Sequence, residues 1–298
     1  MLVYNWEDLA NAKDRLLGDL YPGQRGSMRS IAIRSATLAL LGMALAIAAP
    51  NSHAADDTAI WDGIKSATFG SRDLLDGAGK VKLETPYRAE DASTVPITIR
   101  LPAEFAKDVK SLTLVIDKNP SPIVATFNYG DAAGTGERVL ATRVRIDQYS
   151  DVRAIAETAD GKLYMASSFV KASGGCSAPA SKDAEEAAKL MGKMKIRTAF
   201  KDPEAAAVQE AEVMIRHPNN SGLQMDQVTG LYTPAHFVDK IEVRTGDKLV
   251  FTMTGGISIS ENPHFRFSYQ GNPTDVMSVH AEDSEGMAFN GKSTPSQS

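Results

Sequence analysis

A hairpin-like stretch decides the fold of this 298-residue chain: VRAIAETADGKLYMASSFVK, residues 152–171. Two runs rich in β-branched, aromatic and small apolar residues flank Asp160-Gly161, a dipeptide whose tolerance of positive φ suits a type I′ turn. We therefore predict two antiparallel strands over residues 152–158 and 163–171. The second strand leads directly into Ala172-Ser173-Gly174-Gly175-Cys176.

Similar period-two patterns occur on both sides of this hairpin. Leu112, Leu114 and Ile116 should face one way and the residues between them the other, while Val144 and Ile146 alternate with Arg143 and Arg145 as in a half-buried strand. Further strand patterns occur at 125–129, 213–215, 240–244, 249–253, 265–269, 276–281 and, after a turn at 284–286, 287–289. The fold class predicted is all-β, with two immunoglobulin-like β-sandwich domains over residues 55–172 and 211–291, each with its own core, and a polar tail at 292–298.

The period changes to about 3.6 between the two predicted sandwiches. Ser181 can cap a helix that begins with acidic residues and ends with Lys189, Lys193, Lys195 and Arg197, in agreement with the helix dipole. Its apolar stripe is Ala187, Leu190, Met191 and Met194. Residues 173–210 are therefore predicted to be a cysteine-bearing arm and a linker helix. A short helix and turn are also expected between Ala59 and Gly79.

The amino-terminal region indicates export. Residues 38–49 (LALLGMALAIAA) are too short to span a bilayer as a helix, follow Arg29 and Arg34, and precede small residues at the positions a signal peptidase requires. Residues 28–54 are predicted to be a signal peptide cleaved after Ala54, and residues 1–27 a mis-assigned start. We expect a periplasmic protein with no membrane attachment after cleavage. The net charge of −5 shows no basic excess and argues against nucleic acid as a partner.

Cys176 is the only cysteine of the chain, so it cannot close an intramolecular disulfide. Gly174 and Gly175 precede it and Ser177 follows, which favours a flexible arm that displays the thiol. An exported lone thiol is expected to be either hidden or used, because oxidants are present outside the cytoplasm. We expect a carrier or redox thiol. The alternatives are a small buried hydrophobic residue and an intermolecular disulfide between two copies.

Two other chemistries have weaker support. A thiol hydrolase needs a histidine near Cys176, and the four histidines after it, His217, His236, His264 and His280, belong to no recognisable motif. His236 and His264 are expected to be core or interface residues. A copper carrier could use Met191 and Met194, three residues apart on the predicted helix, although such pairs are more often packing residues. No metal ligand and no cofactor is predicted.

Several motifs, taken in order, resemble SoxY fused to SoxZ. In the first half these are KNPSP at 118–122, VATF at 124–127, DGKLYMA at 160–166 and GGC at 174–176. In the second half they are HP at 217–218, PAHF at 234–237 and ISISENPHFRF at 257–267. The sequence is similar to single-chain SoxYZ-like carriers associated with quinoprotein dehydrogenases, over roughly residues 81–283.

This resemblance implies a non-enzymatic carrier in sulfur (thiosulfate) oxidation. Cys176 would be the carrier thiol, holding a covalently bound, sulfur-containing intermediate. Gly174, Gly175 and Ser177 would form the mobile arm, and the partners would be periplasmic sulfur-oxidation or quinoprotein dehydrogenase-system enzymes. In SoxY the arm ends the chain, whereas here Ser177-Ala178-Pro179 follows and the chain continues. The thiol is thus expected on an internal loop between two domains.

Overall fold

The computed structural model describes residues 52–179, 188–199, 208–226, 229–272 and 274–294. These residues form an all-β sandwich, which confirms the predicted class. Helix α1 is Ser52–Phe69 and helix α2 is Ala103–Ala106. The strands are β1 Leu74–Asp76, β2 Lys82–Glu84, β3 Val95–Leu101, β4 Val109–Ile116, β5 Ile123–Tyr129, β6 Arg138–Val144, β7 Ser150–Thr158, β8 Leu163–Val170, β9 Met194–Ala199, β10 Gln209–Ile215, β11 Val238–Thr245, β12 Lys248–Gly255, β13 His264–Tyr269, β14 Met277–Asp283 and β15 Ala288–Lys292.

The predicted hairpin is strands β7 and β8, paired antiparallel with Ala154 opposite Ala166. Its turn differs from the prediction. Gly161 has a φ of +81° and donates its N–H to the Thr158 carbonyl, but Asp160 does not have a positive φ, as a type I′ turn would require. One further residue in the loop puts only the glycine in the left-handed region, which is the commoner geometry of three-residue hairpin loops.

The strands form two sheets, and each sheet contains strands from both halves of the chain. The larger has the order β1-β8-β7-β4-β5-β12-β11-β14-β15 and the smaller β2-β3-β6-β13-β10-β9. The halves meet where β5 pairs with β12 and where β6 pairs with β13. At this junction, backbone N–H and C=O groups that would otherwise be exposed at the sheet edges of each half are hydrogen-bonded to the other half. The sequence did not indicate this continuity, because strand patterns do not specify which strands are neighbours.

One hydrophobic core fills the space between the sheets across both halves. It includes Leu112, Leu114 and Phe127 from the first half and Phe251 and Phe265 from the second, with Phe127 packed edge-on against both of the latter rings. The described part of His53–Ser298 accordingly belongs to one compact unit. The predicted boundaries at residues 172 and 211 remain predictions.

Helix α1 covers the outer face of the larger sheet. Its Trp61, Ile64 and Phe69 pack against Val115 and Ile155, which point away from the main core. The expected helix near Ala59 is therefore confirmed, and β4 is buried on both faces, with Leu114 towards the main core and Val115 towards α1. Along the stretches described here, we find no helix with the length and apolarity needed to cross a membrane.

The predicted linker helix is wrong at its carboxyl end. Residues 188–190 are helical, but Gly192 has a φ of +76° and Met194–Ala199 forms β9, which pairs antiparallel with β10. The residues from 180 to 187, including the predicted Ser181 cap, lie outside the described residues. Lys195 and Arg197, which suggest a helix terminus, instead alternate along this edge strand, where charged side chains discourage pairing with other chains.

Candidate functional site

Cys176 lies on the loop that leaves β8, as predicted, but its thiol is not displayed. Its side chain and backbone are 0% exposed. The expectation of an exposed thiol on a free arm is therefore wrong for this conformation. The loop residues before the cysteine are hydrogen-bonded to the body of the sandwich, so the glycines do not form a detached tether here.

Two backbone hydrogen bonds fix the glycines of the loop. The Gly174 N–H donates to the Asp147 carbonyl at 2.8 Å, and the Gly175 N–H donates to the Ile146 carbonyl at 2.9 Å. The Ser177 hydroxyl donates back to the Gly174 carbonyl at 3.2 Å, which closes a turn around the cysteine. The segment 174–177 thus docks beside the chain that follows β6, and we call this segment the docked loop.

Gly175 is required for this docking because of close backbone approach. A Cβ atom at this position would lie 2.1 Å from the Ala92 carbonyl oxygen and 2.7 Å from that of Ile146. Gly174 has a φ of +77°, but a Cβ there would meet only the Ser177 hydroxyl, at 3.8 Å. The two glycines predicted to belong to the mobile arm therefore serve different purposes in the docked loop: Gly175 permits close contact and Gly174 permits the turn.

Arg145 and Ser221 hold the docked loop from the other side. Arg145 Nη1 donates to the Gly175 carbonyl at 3.2 Å, and Nη2 donates to the Asn219 carbonyl at 3.4 Å. The Ser221 hydroxyl donates to the carbonyl of Cys176 itself. Since Asn219 and Ser221 belong to the second half of the chain, the cysteine lies where residues from both halves meet.

Burial determines the protonation of the thiol. Desolvation raises the pKa of Cys176 to about 12, with a smaller contribution in the same direction from Asp147, while Arg145 opposes both. The docked thiol is therefore protonated at neutral pH. Because the thiolate is the nucleophile, the docked loop protects Cys176 from reaction.

A histidine–aspartate cluster lies next to Asn219. The side chains of His217, His236 and Asp283 are buried and place their ligand atoms within 4.8 Å of one another, the one such group of three potential metal ligands among the residues described. His217 Nδ1 accepts the Asn219 N–H at 3.1 Å, so in the neutral ring Nε2 carries the proton and faces Asp283 Oδ2 at 3.4 Å. His236 Nε2 contacts the same oxygen at 2.8 Å. This arrangement is a satisfied hydrogen-bond network rather than an open set of metal ligands.

The remaining sequence candidates do not converge on Cys176. His264 contacts Glu212 at 2.7 Å, and His280 contacts Asn290 at 2.9 Å. Met194 begins β9 and packs against the core, and Met191 lies in the turn before it. The two methionines therefore do not form a helical pair, which removes the spacing on which the copper-carrier alternative was based.

Sequence reasoning missed the residues that surround the cysteine. Arg145 was expected to face solvent opposite Val144 and Ile146, yet it is 2% exposed. The strand β6 ends at Val144, so the alternation no longer determines where the next side chain points. Asn219 is one of two non-glycine residues with positive φ in the described chain, and its position in the turn sequence Asn219-Asn220-Ser221-Gly222 was the only signal available.

Comparison with known proteins assigns each half of the chain. Residues 65–176 match the family model for sulfur oxidation protein SoxY, and residues 196–294 match that for sulphur oxidation protein SoxZ. A search of curated proteins returned no match.

Solved structures were also compared. The sulfur carrier protein SoxY from Chlorobium limicola f thiosulfatophilum is 24% identical, covers 41% of this chain and 98% of its own, and gives a TM-score of 0.33. A beta-glycosidase from Bacteroides vulgatus is 8% identical, with 72% of this chain and 24% of its own covered and a TM-score of 0.23. The SoxY match ends at Cys176, and the SoxZ match begins within β9 and includes β10 to β15, which complete both sheets. The chain thus belongs to the SoxY and SoxZ families, joined in one polypeptide as a SoxY–SoxZ fusion.

Proposed function

We propose that this protein is a non-enzymatic carrier in sulfur oxidation that holds a covalently bound sulfur intermediate on Cys176. The observation that carries the proposal is that the single cysteine is the last residue of the SoxY match and lies on a loop held to the body by a few hydrogen bonds. A solved neighbour is described as a sulfur carrier protein SoxY. We further propose that the protein acts in the periplasm and delivers its cargo to sulfur-oxidation or quinoprotein dehydrogenase-system enzymes.

The docked loop supplies a protected state for this function. Loading joins Sγ to a sulfur atom of the cargo, Cys–SH + HS–R → Cys–S–S–R + 2 H⁺ + 2 e⁻, with both electrons passed to an acceptor in a partner enzyme. The reaction requires the thiolate, which the docked loop disfavours by raising the pKa of Cys176 to about 12. Release of the loop restores a pKa near the ordinary ~8.5 and exposes the sulfur. Reactivity is thereby restricted to the released loop.

The loop is internal, so release requires the segment 174–177 to leave its contacts while both ends stay attached. The contacts that must break are those to Asp147, Ile146, Arg145 and Ser221. Hydrogen bonds of this kind contribute about 0.5–1.5 kcal/mol each in net terms, so a partner that binds the released loop can replace them.

Intact-mass measurement tests the proposal. Protein purified from the exporting host should carry an adduct on Cys176 that reductant removes, and Cys176→Ser should carry none. The carrier role would be refuted if Cys176 remained a homogeneous free thiol after the protein was incubated with an extract of sulfur-oxidising cells. A doubled mass without reductant would instead indicate a Cys176-linked homodimer. The same spectra give the mature amino terminus, which we expect at Ala55.

A further inference from the structure

The docked loop rests on a buried cation. Arg145 follows β6, its backbone N–H donates to the Ser258 carbonyl at 2.8 Å, and its own carbonyl accepts from Asn119 Nδ2 at 2.7 Å. The guanidinium is thereby held at a fixed position, 2% exposed, under the loop that bears Cys176. Burial of a cation without a compensating negative charge is unfavourable, so the environment of Arg145 needs an explanation.

The hydrogen bonds of Arg145 do not neutralise it. Its two Nη atoms reach the carbonyls of Gly175 and Asn219, and its Nε is buried with no hydrogen-bond partner. Among the described residues, no ion pair within 4.0 Å involves Arg145. Asp91 and Glu261 act on it only at longer range.

The buried Arg138 and the partly buried Arg153 are compensated differently. Arg153 donates three hydrogen bonds of 2.7–2.9 Å to Asp117. Arg138 also bonds two carbonyls and has an unpartnered Nε, but it stacks on the ring of Tyr129 at 4.1 Å. Among the described residues, no carboxylate forms an ion pair with Arg145 and no aromatic ring stacks on it. Its free Nε–H and its charge therefore remain available for an anion beside Cys176.

We propose that Arg145 recognises the negative charge of the cargo on Cys176, so that an anionic adduct such as an S-sulfonate holds the loop docked more firmly than a neutral one. This inference rests on the proposed function, because it takes Cys176 as the carrier thiol. Arg145 is thus a positioning residue selective for charge. Its planar donors suit the oxygens of a sulfur oxyanion. The partly exposed Asp147 acts in the opposite direction but is better screened by water.

A pair of nearly isosteric adducts tests the inference. Because Cys176 is the only cysteine, iodoacetate gives a single S-carboxymethyl adduct of charge −1, and iodoacetamide gives a single neutral S-carbamidomethyl adduct. We expect the anionic adduct to melt about 3 °C or more above the neutral one at pH 7. In Arg145→Gln this difference should disappear or reverse, and in Arg145→Lys it should be reduced.

A second comparison requires no chemical modification and no change at Arg145. Cys176→Glu and Cys176→Gln differ in charge at nearly constant volume, and we expect the Gly175 amide to exchange its hydrogen about tenfold more slowly in Cys176→Glu. Equal or greater stability of the neutral member in both pairs would overturn the inference, as would a charge effect that persists in Arg145→Gln. Neither result bears on natural loading of Cys176, which the mass measurement of the purified protein decides separately.

Discussion

Two arginines in the first half of the chain lie in contrasting surroundings, Arg145 fully buried and Arg153 partly buried. Arg153, on β7 under α1, has Asp117 as its partner and stacks on Trp61 at 4.1 Å. Arg145, under the docked loop, has two carbonyls and an unpartnered Nε. A buried ion pair that is complete in the folded chain is structural. A buried arginine that has no anionic partner is suited to a negative charge that arrives with the cargo.

Removal of the cation should have its largest effect at the completed pair. Arg153→Met leaves Asp117 buried without a partner, and we expect the free energy of unfolding to fall by about 3–5 kcal/mol. Arg145→Met leaves only two carbonyls without a donor, so in the unmodified protein it should cost about 1–3 kcal/mol. Urea unfolding of both variants checks this order.

Asp117→Asn in the Arg153→Met background provides the control. It removes the stranded charge, so it should restore part of the lost stability. If Arg145→Met destabilises the unmodified protein more than Arg153→Met, the distinction between the two sites fails.

Displacing the loop from Arg145 should have the next largest effect. Gly175→Ala introduces overlap with two carbonyl oxygens, which costs about 2 kcal/mol or more and should accelerate alkylation of Cys176 at least about thirtyfold. Gly174→Ala is the matched control, because its Cβ meets no close neighbour but alanine is placed at a positive φ. We expect it to destabilise the docked loop by about 1 kcal/mol and to accelerate alkylation of Cys176 about fivefold. Alkylation followed by mass spectrometry measures both rates. Equal rates in the two variants and the parent would show that the thiol is not protected by docking.

The smallest effect concerns the cluster of His217, His236 and Asp283. His217 accepts a hydrogen bond from Asn219, whose carbonyl in turn accepts one from Arg145. Burial lowers the pKa of His217 below 6.5. The unfolded chain therefore binds more protons just below pH 6.5, and stability is lost as pH falls through that value towards the folded pKa. His217→Gln should flatten the decrease of Tm between pH 6.5 and 5.5, an effect of about 1 kcal/mol or less.

His280 is the control with the opposite sign. Its hydrogen bond to Asn290 raises its pKa, so its contribution is present below pH 6.5 and is lost as pH rises through the folded pKa. His280→Gln should therefore steepen the acid decrease of Tm. A decrease unchanged in both variants would mean that carboxylates alone govern this pH range.

Prediction from sequence succeeded where local patterns are sufficient. The alternation at Leu112, Leu114 and Ile116 identified the core face of β4, and Asp160-Gly161 located the hairpin turn. It failed at residues 194–197, because Met194, Lys195, Ile196 and Arg197 are compatible with both a helix end and an edge strand. It failed also for Arg145, whose burial depends on Gly175 and Asn219, 30 and 74 residues away.

The sequence by itself determined the all-β class, the SoxY and SoxZ halves and the unique thiol at the end of the first half. Local hydrophobic periodicity and short motifs carry that information. The tertiary structure decided that the two halves share both sheets and that Cys176 docks against Arg145 and Ser221. Both features depend on hydrogen bonds between residues far apart in the chain, and no local pattern encodes which distant carbonyl or edge strand will satisfy a given donor.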